Sequence, residues 1–197
     1  MKKILLGFIA IVLFTFVGCE REDDDTDTTN TSSLIEYGDG ATDIDGNIYK
    51  SVIIGGQEWM LENLSTSKYS DGTTIPNVTD EYQWSRLTTG ACCYYNNDSQ
   101  NVNTYAKLYN WYAVETGKLC PTGWHVPTDL EWTVLTDYLA ANGYTGTALK
   151  ATSGWDYGNG TDNYGWLGLP VGNRHYDGYF NYFGSAGSWW SSSEDLM

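Results

Sequence analysis

Apolar residues recur at helical spacing in two stretches of this chain, and this pattern limits how much of the fold can be helical. The first stretch has apolar or aromatic residues at i, i+3, i+4 and i+7, namely Tyr105, Leu108, Tyr109 and Tyr112. This spacing predicts one helix whose aromatic stripe packs into the core, with Gly117 as its stop signal.

The second stretch begins with the pattern of a capping box. The Thr128 hydroxyl can accept from the amide of Glu131, and the Glu131 carboxylate can reach back to Thr128. Pro127 stands just before this cap, and Asn142-Gly143 marks the end of the helix. One apolar face is carried by Leu130, Val134, Leu135, Tyr138 and Leu139.

The rest of the globular region is patterned as short strands and ordered loops. The β-branched run from Ile48 to Ile54 lies between the turn dipeptides Asp45-Gly46 and Gly55-Gly56, which predicts a strand within hairpins. After Lys150, Gly, Asn and Asp alternate with Trp and Tyr, and helical periodicity is absent. The predicted fold class is α+β, with an early hairpin, two helices and short, irregular β-strands.

The N-terminal segment has the composition of a targeting signal followed by a tether. Two lysines precede an apolar run, Ile4 to Val17, that is too short to span a membrane and has the length of a signal-peptide core. The run ends in Gly18-Cys19, which resembles a bacterial lipobox. We therefore expect a signal peptide over residues 1–18, a lipid-bearing Cys19 and an acidic, polar tether over residues 19–41. An ordinary signal peptide or an uncleaved anchor is the alternative.

Charge and composition exclude some classes of function for the domain, which is predicted over residues 42–197. The formal net charge is −15, and such a chain repels the phosphate backbone of nucleic acids. The chain has 16 Tyr and 9 Trp, whereas disordered chains are poor in aromatic residues. The composition therefore favours an ordered, loop-rich extracellular domain.

Five motifs occur in a fixed order and carry a resemblance to a known family. They begin at Asp43, Gln57, Leu108, Cys120 and Trp189 and read DIDGN, QEWMxENL, LYNWYAV, CPxGWHVPT and WWSS. Together they resemble the Fibrobacter succinogenes major paralogous domain over about residues 42 to 194. The resemblance implies a secreted or lipid-anchored protein with a C-type-lectin-like fold. It implies no particular activity, because a fold does not determine a function.

The helix start over residues 126–132 also resembles that of formylglycine-generating enzymes, which share this fold and use a cysteine pair with copper. Their active cysteines lie late in the domain and have no counterpart here, so no catalytic residue and no cofactor are expected. Cys92 and Cys93 could in principle bind a soft metal. Half-buried thiols, one of them in a disulfide, are the favoured interpretation, and the pairing of Cys92, Cys93 and Cys120 is left open.

No metal site is expected from the histidines or from the DIDGN motif. His125 is interpreted as a packed structural residue and His175, in a polar loop, as an exposed contact. The motif starts like an EF-hand calcium loop, but such a loop needs a glutamate at its twelfth position, which here is Ile54. A hairpin turn is therefore favoured at Asp43.

The aromatic loops after Lys150 favour a binding module. Aromatic rings give rigid contact area and can stack on sugar faces, so a glycan or a surface protein is the expected ligand. The candidate ligand-binding residues are Trp155, Tyr157, Trp166, Arg174, His175 and Tyr176. For the tryptophans the alternative is a place in the core. A structural or adhesion subunit of a surface assembly is the alternative function, and a formylglycine-type enzyme comes third.

The expected location is the outer membrane, with acyl chains such as palmitate on Cys19 as the anchor. The acidic residues directly after Cys19 resemble a surface-export signal of some Gram-negative lipoproteins. The resemblance also implies that the domain is C-terminally shortened, because similar domains continue beyond the WWSS motif to a cysteine that pairs with one placed like Cys120. An unpaired Cys120 and an open sheet edge are the expected consequences.

Overall fold

Short antiparallel strand pairs carry the β-structure of this chain. The computed structural model describes residues 35–194, so the predicted signal peptide and the lipid site at Cys19 lie outside the described residues. Within this range the paired strands are β1 with β2, β3 with β4, β5 with β6, and β7 with β8. Their bounds are Ala41–Thr42, Ile48–Tyr49, Ser51–Ile54, Gln57–Met60, Cys92–Cys93, Leu108–Tyr109, Asn173–Arg174 and Phe180–Asn181.

Four α-helices occur in the same described range, and together with the strands they confirm the α+β class. Their bounds are α1, Glu81–Trp84; α2, Val102–Tyr105; α3, Trp111–Glu115; and α4, Asp129–Ala141. Short 3₁₀ turns cover Tyr95–Asn97, Ser99–Asn101 and Gly146–Ala148. None of the helices between residues 35 and 194 is both long enough and apolar enough to cross a membrane.

The early hairpin forms as the β-branched run predicts. Strands β3 and β4 pair from Ser51 with Met60 to Ile54 with Gln57, across Gly55 and Gly56, which both have positive φ. The run divides at Lys50, because β2 pairs with β1 instead. Residues before β1 also join this ladder: the amide of Ile53 donates to Glu36 O at 2.8 Å. The end of the expected tether, residues 36–41, therefore bonds to the folded domain.

The DIDGN motif forms a turn, as expected. Asp43 is buried, and its Oδ1 accepts from the amides of Asp45 and Asn47, both at 2.9 Å. Its Oδ2 accepts from the side-chain Nδ2 of Asn47 and from the Tyr49 hydroxyl, both at 2.7 Å. Protein donors occupy both carboxylate oxygens, so this carboxylate holds the turn together.

The first predicted helix is wrong. Helix α2 ends at Tyr105, Ala106 has a φ of 62°, and the chain then pairs as β6 with β5. A new helix, α3, begins only after Asn110, whose side-chain oxygen accepts from the amides of Ala91 and Ala113. Tyr109 is buried, and its hydroxyl donates to Thr66 O at 2.7 Å. Contacts with distant segments therefore override the helical spacing.

The second predicted helix is confirmed as α4. The Thr128 hydroxyl accepts from the Glu131 amide at 3.3 Å, and the Glu131 carboxylate accepts from the Thr128 amide at 2.8 Å. The helix ends at Ala141 and is capped by Asn142, which is followed by Gly143 with a φ of 76°. Its predicted apolar face is only partly buried: Leu135 and Leu139 are 1% exposed, whereas Leu130 is 72% exposed.

The buried side chains of the described residues form three clusters. The first joins the β3–β4 hairpin to α4 and contains Val52, Ile54, Trp59, Leu135, Leu139, Leu149 and Trp166. The second surrounds Tyr109 and includes Cys92, and the third contains Trp84, Ala91 and Cys93. Because successive residues of a strand point to opposite faces, β5 separates the second cluster from the third.

Candidate functional site

A groove of about 470 Å³ opens beside the first cluster. It lies between β4, the segment over residues 123–127, the start of α4 and the chain around Trp189. Pockets of about 300 to 1,000 Å³ are usual for small ligands. The groove is dominated by indole rings, those of Trp59, Trp124, Trp132, Trp166, Trp189 and Trp190.

The indoles of the groove differ in how much of their surface they expose. Trp59 and Trp166 are each 7% exposed, and we call them the floor. Trp189 and Trp190, which we call the wall, expose 38% and 44%. The ring of Trp132 lies 4.8 Å from that of Trp59, centroid to centroid, and Trp166 lies 4.9 Å from Trp189. The floor is therefore fixed by packing, while the wall exposes ring surface to solvent.

Indole N–H groups hold the wall in place. Trp189 Nε1 donates to Asn63 Oδ1 at 3.1 Å, and Trp190 Nε1 donates to Tyr109 O at 2.8 Å. Trp132 Nε1 donates to Trp190 O at 3.2 Å. These bonds connect the wall to the loop after β4, to β6 and to α4, so its position depends on three distant parts of the chain.

The chain after the wall is bonded to the start of α4. The amide of Ser192 donates to Pro127 O at 2.7 Å, and the hydroxyl of Ser193 accepts from the amide of Asp129 at 3.0 Å. The first amides of a helix have no partner within the helix. Ser193 therefore satisfies one of these amides and at the same time holds the wall against the helix.

The rim of the groove carries a hydrogen bond between His125 Nε2 and Glu131 Oε1 at 2.8 Å. Partial burial alone would raise the pKa of Glu131, but hydrogen bonds from Thr128 and His125 outweigh it and hold the pKa below its usual value. The interpretation of His125 as a packed structural residue is wrong, because 66% of its side chain is exposed.

Two buried polar atoms on the groove residues of β4 have no hydrogen-bond partner among the described residues. They are Gln57 Oε1 and Trp59 Nε1. The orientation of the Gln57 amide is defined, since its Nε2 donates to Glu131 O at 3.1 Å. An acceptor and a donor on one strand thus stay unpaired beside the groove.

The six residues predicted for ligand binding lie in separate places. Trp166 lies in the groove floor, and its burial fits the core alternative. Trp155 is half-buried: its Nε1 donates to Gly168 O at 3.2 Å, and Lys150 Nζ lies 3.9 Å from its ring centroid. Tyr157 is 84% exposed. Of these three, only Trp166 lines the groove; Trp155 and Tyr157 are not among its lining residues.

Arg174 lies on the hairpin of β7 and β8, where it acts as a crosslink. Its guanidinium donates to three backbone carbonyls, those of Val78, Thr79 and Gly178, at 2.6, 3.0 and 2.9 Å. It also lies 4.3 Å from the ring centroid of Trp84 and 4.8 Å from that of Phe180. The donors of this side chain are directed at the protein itself.

His175 and Tyr176 are exposed at the tip of the same hairpin. His175 Nδ1 lies 3.0 Å from Asp177 Oδ2, and its ring centroid lies 4.2 Å from that of Tyr176. Tyr176 is 79% exposed. The exposure expected for His175 is confirmed.

The three cysteines of the described region are free thiols, so the disulfide considered for them is not formed. Burial raises the pKa of Cys92, and it raises those of Cys93 and Cys120 to about 11. Cys92 and Cys93 lie in different core clusters on opposite faces of β5. They do not converge on one metal ion, and within residues 35–194 no group of three ligating side chains does so.

Sequence reasoning missed most of the groove, because only Trp166 of the six candidate residues lines it. Four of the five motifs, those beginning at Gln57, Leu108, Cys120 and Trp189, contribute lining residues. The presence of these motifs in a fixed order was the sequence signal that could have found these residues.

Comparisons with known proteins agree with this reading of the motifs. A family model described as the Fibrobacter succinogenes major domain matches residues 52–196, a range that contains every lining residue of the groove. Comparison with curated proteins and with solved structures gave no match.

Proposed function

The chain belongs to the Fibrobacter succinogenes major domain family, and from this premise we propose that it is a lipid-anchored, non-catalytic binding protein whose tryptophan groove binds a glycan. The observation that carries the proposal is the groove itself, in which the exposed rings of Trp189 and Trp190 share the lining with the exposed polar side chains of Glu62 and His125. Apolar faces and hydroxyls alternate on a sugar ring, and a surface of this kind complements both.

The state of the thiols favours binding over catalysis. Nucleophilic and metal-binding cysteines act as thiolates. Cys120, which lines the groove, is held protonated at neutral pH because burial raises its pKa to about 11. Cys92 and Cys93 face different clusters, so the paired-thiol chemistry of formylglycine-type enzymes has no support from their placement.

Direct binding measurements on the full chain in detergent test the proposed site. We expect Trp190→Ala to weaken binding of a glycan identified on an array by about 1–3 kcal/mol, by analogy with base stacking on aromatic side chains. Tyr176→Ala is the matched control, because it removes an exposed ring on the separate hairpin. Unchanged affinity in folded Trp190→Ala, or an array with no bound glycan, would overturn the groove as a glycan site.

Anchoring at Cys19, in the outer membrane and facing the surface, is the second half of the proposal. It rests on the apolar run that ends in Gly18-Cys19 and on the acidic tether that follows. Several acyl chains on Cys19 would make the anchoring stable, because each buried CH₂ contributes about 0.8 kcal/mol. We expect Cys19→Ser to accumulate as a precursor that takes up no labelled palmitate. Label in this variant would refute the lipid site.

An adhesion or structural subunit is a second candidate, favoured by the exposed tyrosines of the β7–β8 hairpin. Tyr176, Tyr179 and Tyr182 expose 79%, 58% and 63% of their surface. Tyrosine-rich loops are typical of protein-binding surfaces. Crosslinking in intact envelopes that recovers one stable protein partner, lost in Tyr176→Ala and retained in Trp190→Ala, would favour this second candidate.

A further inference from the structure

We infer that Leu167 is a ligand-contacting residue of the tryptophan groove, held at the cost of backbone strain where its side chain can cover the apolar face of a bound sugar. The inference rests on the proposed function, since it adds a contact residue to the same groove. Leu167 lines the groove and exposes 47% of its surface, so a ligand in the groove can reach it. It lies outside the five ordered motifs and is not one of the six predicted binding residues.

The backbone of Leu167 has a conformation that leucine rarely adopts. Its φ is 56°, in the left-handed region, where a Cβ crowds the following carbonyl oxygen. Glycine is the usual residue at such positions, and asparagine and aspartate tolerate them. Among the described residues, the large apolar or aromatic side chains with a positive φ are those of Leu167 and Tyr182. A leucine here is therefore unfavourable for the fold unless its side chain contributes in another way.

Hydrogen bonds on both sides hold Leu167 in this conformation. Its amide donates to Asp162 Oδ1 at 2.9 Å. The next residue, Gly168, donates to Leu149 O at 2.8 Å and accepts from the Ala151 amide at 2.9 Å. Strained residues persist only where the surrounding structure fixes them, and they concentrate at ligand clamps and other functional sites. Leu167 is therefore in place before a ligand binds.

Packing inside the protein does not account for the leucine. Leu167 belongs to none of the three core clusters of the described residues, and almost half of its surface stays exposed. An apolar side chain stabilises a protein in proportion to the area that is removed from water. A ligand that covers Leu167 would supply the burial that the fold itself does not.

Leu167 and the groove wall adjoin the same floor ring. Leu167 follows Trp166 in the chain, and the Trp166 ring packs on that of Trp189 at 4.9 Å, centroid to centroid. A ligand over this part of the floor has an exposed indole and an exposed aliphatic side chain within reach. The isobutyl group forms no hydrogen bonds, and a hydroxyl pressed against it would lose water without gaining a partner. It therefore complements the carbon–hydrogen face of a sugar ring.

Paired alanine and glycine variants separate the strain from the side chain. Leu167→Ala and Leu167→Gly both remove the isobutyl group, but only glycine relieves the strain. We expect Leu167→Gly to melt about 2–4 °C above Leu167→Ala. Tyr182 on the β7–β8 hairpin has a φ of 64°, so Tyr182→Gly and Tyr182→Ala form the matched pair and should differ by a similar amount.

Binding measurements on the full chain in detergent then test the contact. The probes are maltohexaose, cellohexaose, mannohexaose and chitohexaose, titrated by calorimetry. For a probe that binds, we expect the affinity to be about fivefold weaker in both Leu167 variants. The Tyr182 variants should bind as the unmodified protein does, because Tyr182 is not among the lining residues of the groove. The glycine variant gives the answer even where Leu167→Ala does not fold.

The outcomes separate this inference from the proposed function. A probe that binds more weakly to Trp190→Ala, but equally to the unmodified protein and both Leu167 variants, would leave glycan binding intact and overturn the contact. Weaker binding in Leu167→Gly alone would assign the loss to a loosened backbone and also overturn it. A glycine variant less stable than Leu167→Ala would overturn the strain. Failure of every probe to bind would overturn both the contact and the groove as a glycan site.

Discussion

The tryptophan groove and the β7–β8 hairpin are both aromatic-rich, but they use their rings in opposite ways. In the groove, Trp59 and Trp166 are buried against each other, and the wall is held by indole N–H donors. On the hairpin, Tyr176 is 79% exposed, while Arg174 donates to Val78 O and Thr79 O and the Trp84 indole donates to His175 O.

The difference shows that aromatic composition does not identify a binding surface. Trp166 of the groove floor and Tyr176 of the hairpin both lie among Gly, Asn and Asp in the sequence. The exposed fraction of an aromatic ring depends on which other elements of the fold cover it. The groove has α4 and the β3–β4 hairpin packed behind it, whereas the hairpin tip has solvent on its outer side. Variants in the two regions should therefore affect different properties.

The largest expected effect on stability comes from the groove floor. Trp166→Ala removes a ring that contacts Trp59, Trp132 and Trp189, and we expect the free energy of unfolding to fall by about 3–5 kcal/mol. Tyr176→Ala, its counterpart on the hairpin, should stay within about 0.5 kcal/mol of the unmodified protein. Urea unfolding measures the free energy of unfolding of both variants. Equal losses in the two variants would break the distinction between the regions.

On the hairpin, the large effect should come from the arginine. Arg174→Ala removes the donors to three carbonyls and the stacking on Trp84, so we expect a loss of about 2–3 kcal/mol. Arg174→Lys should recover little of this, because one ammonium does not reproduce the planar fork of a guanidinium. A lysine variant as stable as the unmodified protein would show that charge alone holds the hairpin.

The helix cap beside the groove should have an intermediate effect. Thr128→Ala removes the hydroxyl that accepts from the Glu131 amide, and we expect a loss of about 1 kcal/mol. Thr136→Ala is the matched control, because Thr136 is exposed within the same helix and should change stability by less than about 0.5 kcal/mol. Thermal unfolding of the two variants measures both losses. Equal losses would contradict a specific contribution of the helix cap to stability.

The smallest effect is a difference in acid sensitivity between the two histidine–carboxylate pairs. The pKa of Glu131 is lowered in the folded protein, so its stabilisation is present above the usual glutamate pKa of about 4.3 and is lost as pH falls through the lower folded value. Glu131→Gln should therefore lose less stability than the unmodified protein between about pH 5 and pH 3.

The hairpin provides the control for this pH experiment. Hydrogen bonds from the Tyr179 amide and from His175 lower the pKa of Asp177, whose side chain is exposed. Solvent screens exposed charges, so Asp177→Asn should follow the unmodified protein over the same pH range. The test is the change in denaturant midpoint between about pH 5 and pH 3, measured for both variants and for the unmodified protein. A larger change in Asp177→Asn than in Glu131→Gln would reverse the comparison.

Local patterns predicted those elements whose hydrogen bonds close within a few residues. The cap of α4 lies between Thr128 and Glu131, the β3–β4 turn lies at Gly55 and Gly56, and the DIDGN turn is closed by Asp43. Each of these depends on neighbours in the chain, so the sequence alone was sufficient. The five ordered motifs likewise identified the family before the structure was known.

Only the tertiary structure determined the secondary structure and the burial of residues whose contacts are distant in the sequence. Tyr109 has the spacing of a helix, but it lies in β6 because its segment pairs with β5 and its hydroxyl reaches Thr66 O. Trp166 and Tyr176 lie in similar sequence surroundings, yet one is buried and the other exposed. Burial is a property of the elements packed around a residue. No local pattern brings Gln57, His125 and Trp190 together, and only their packing against α4 made them one groove.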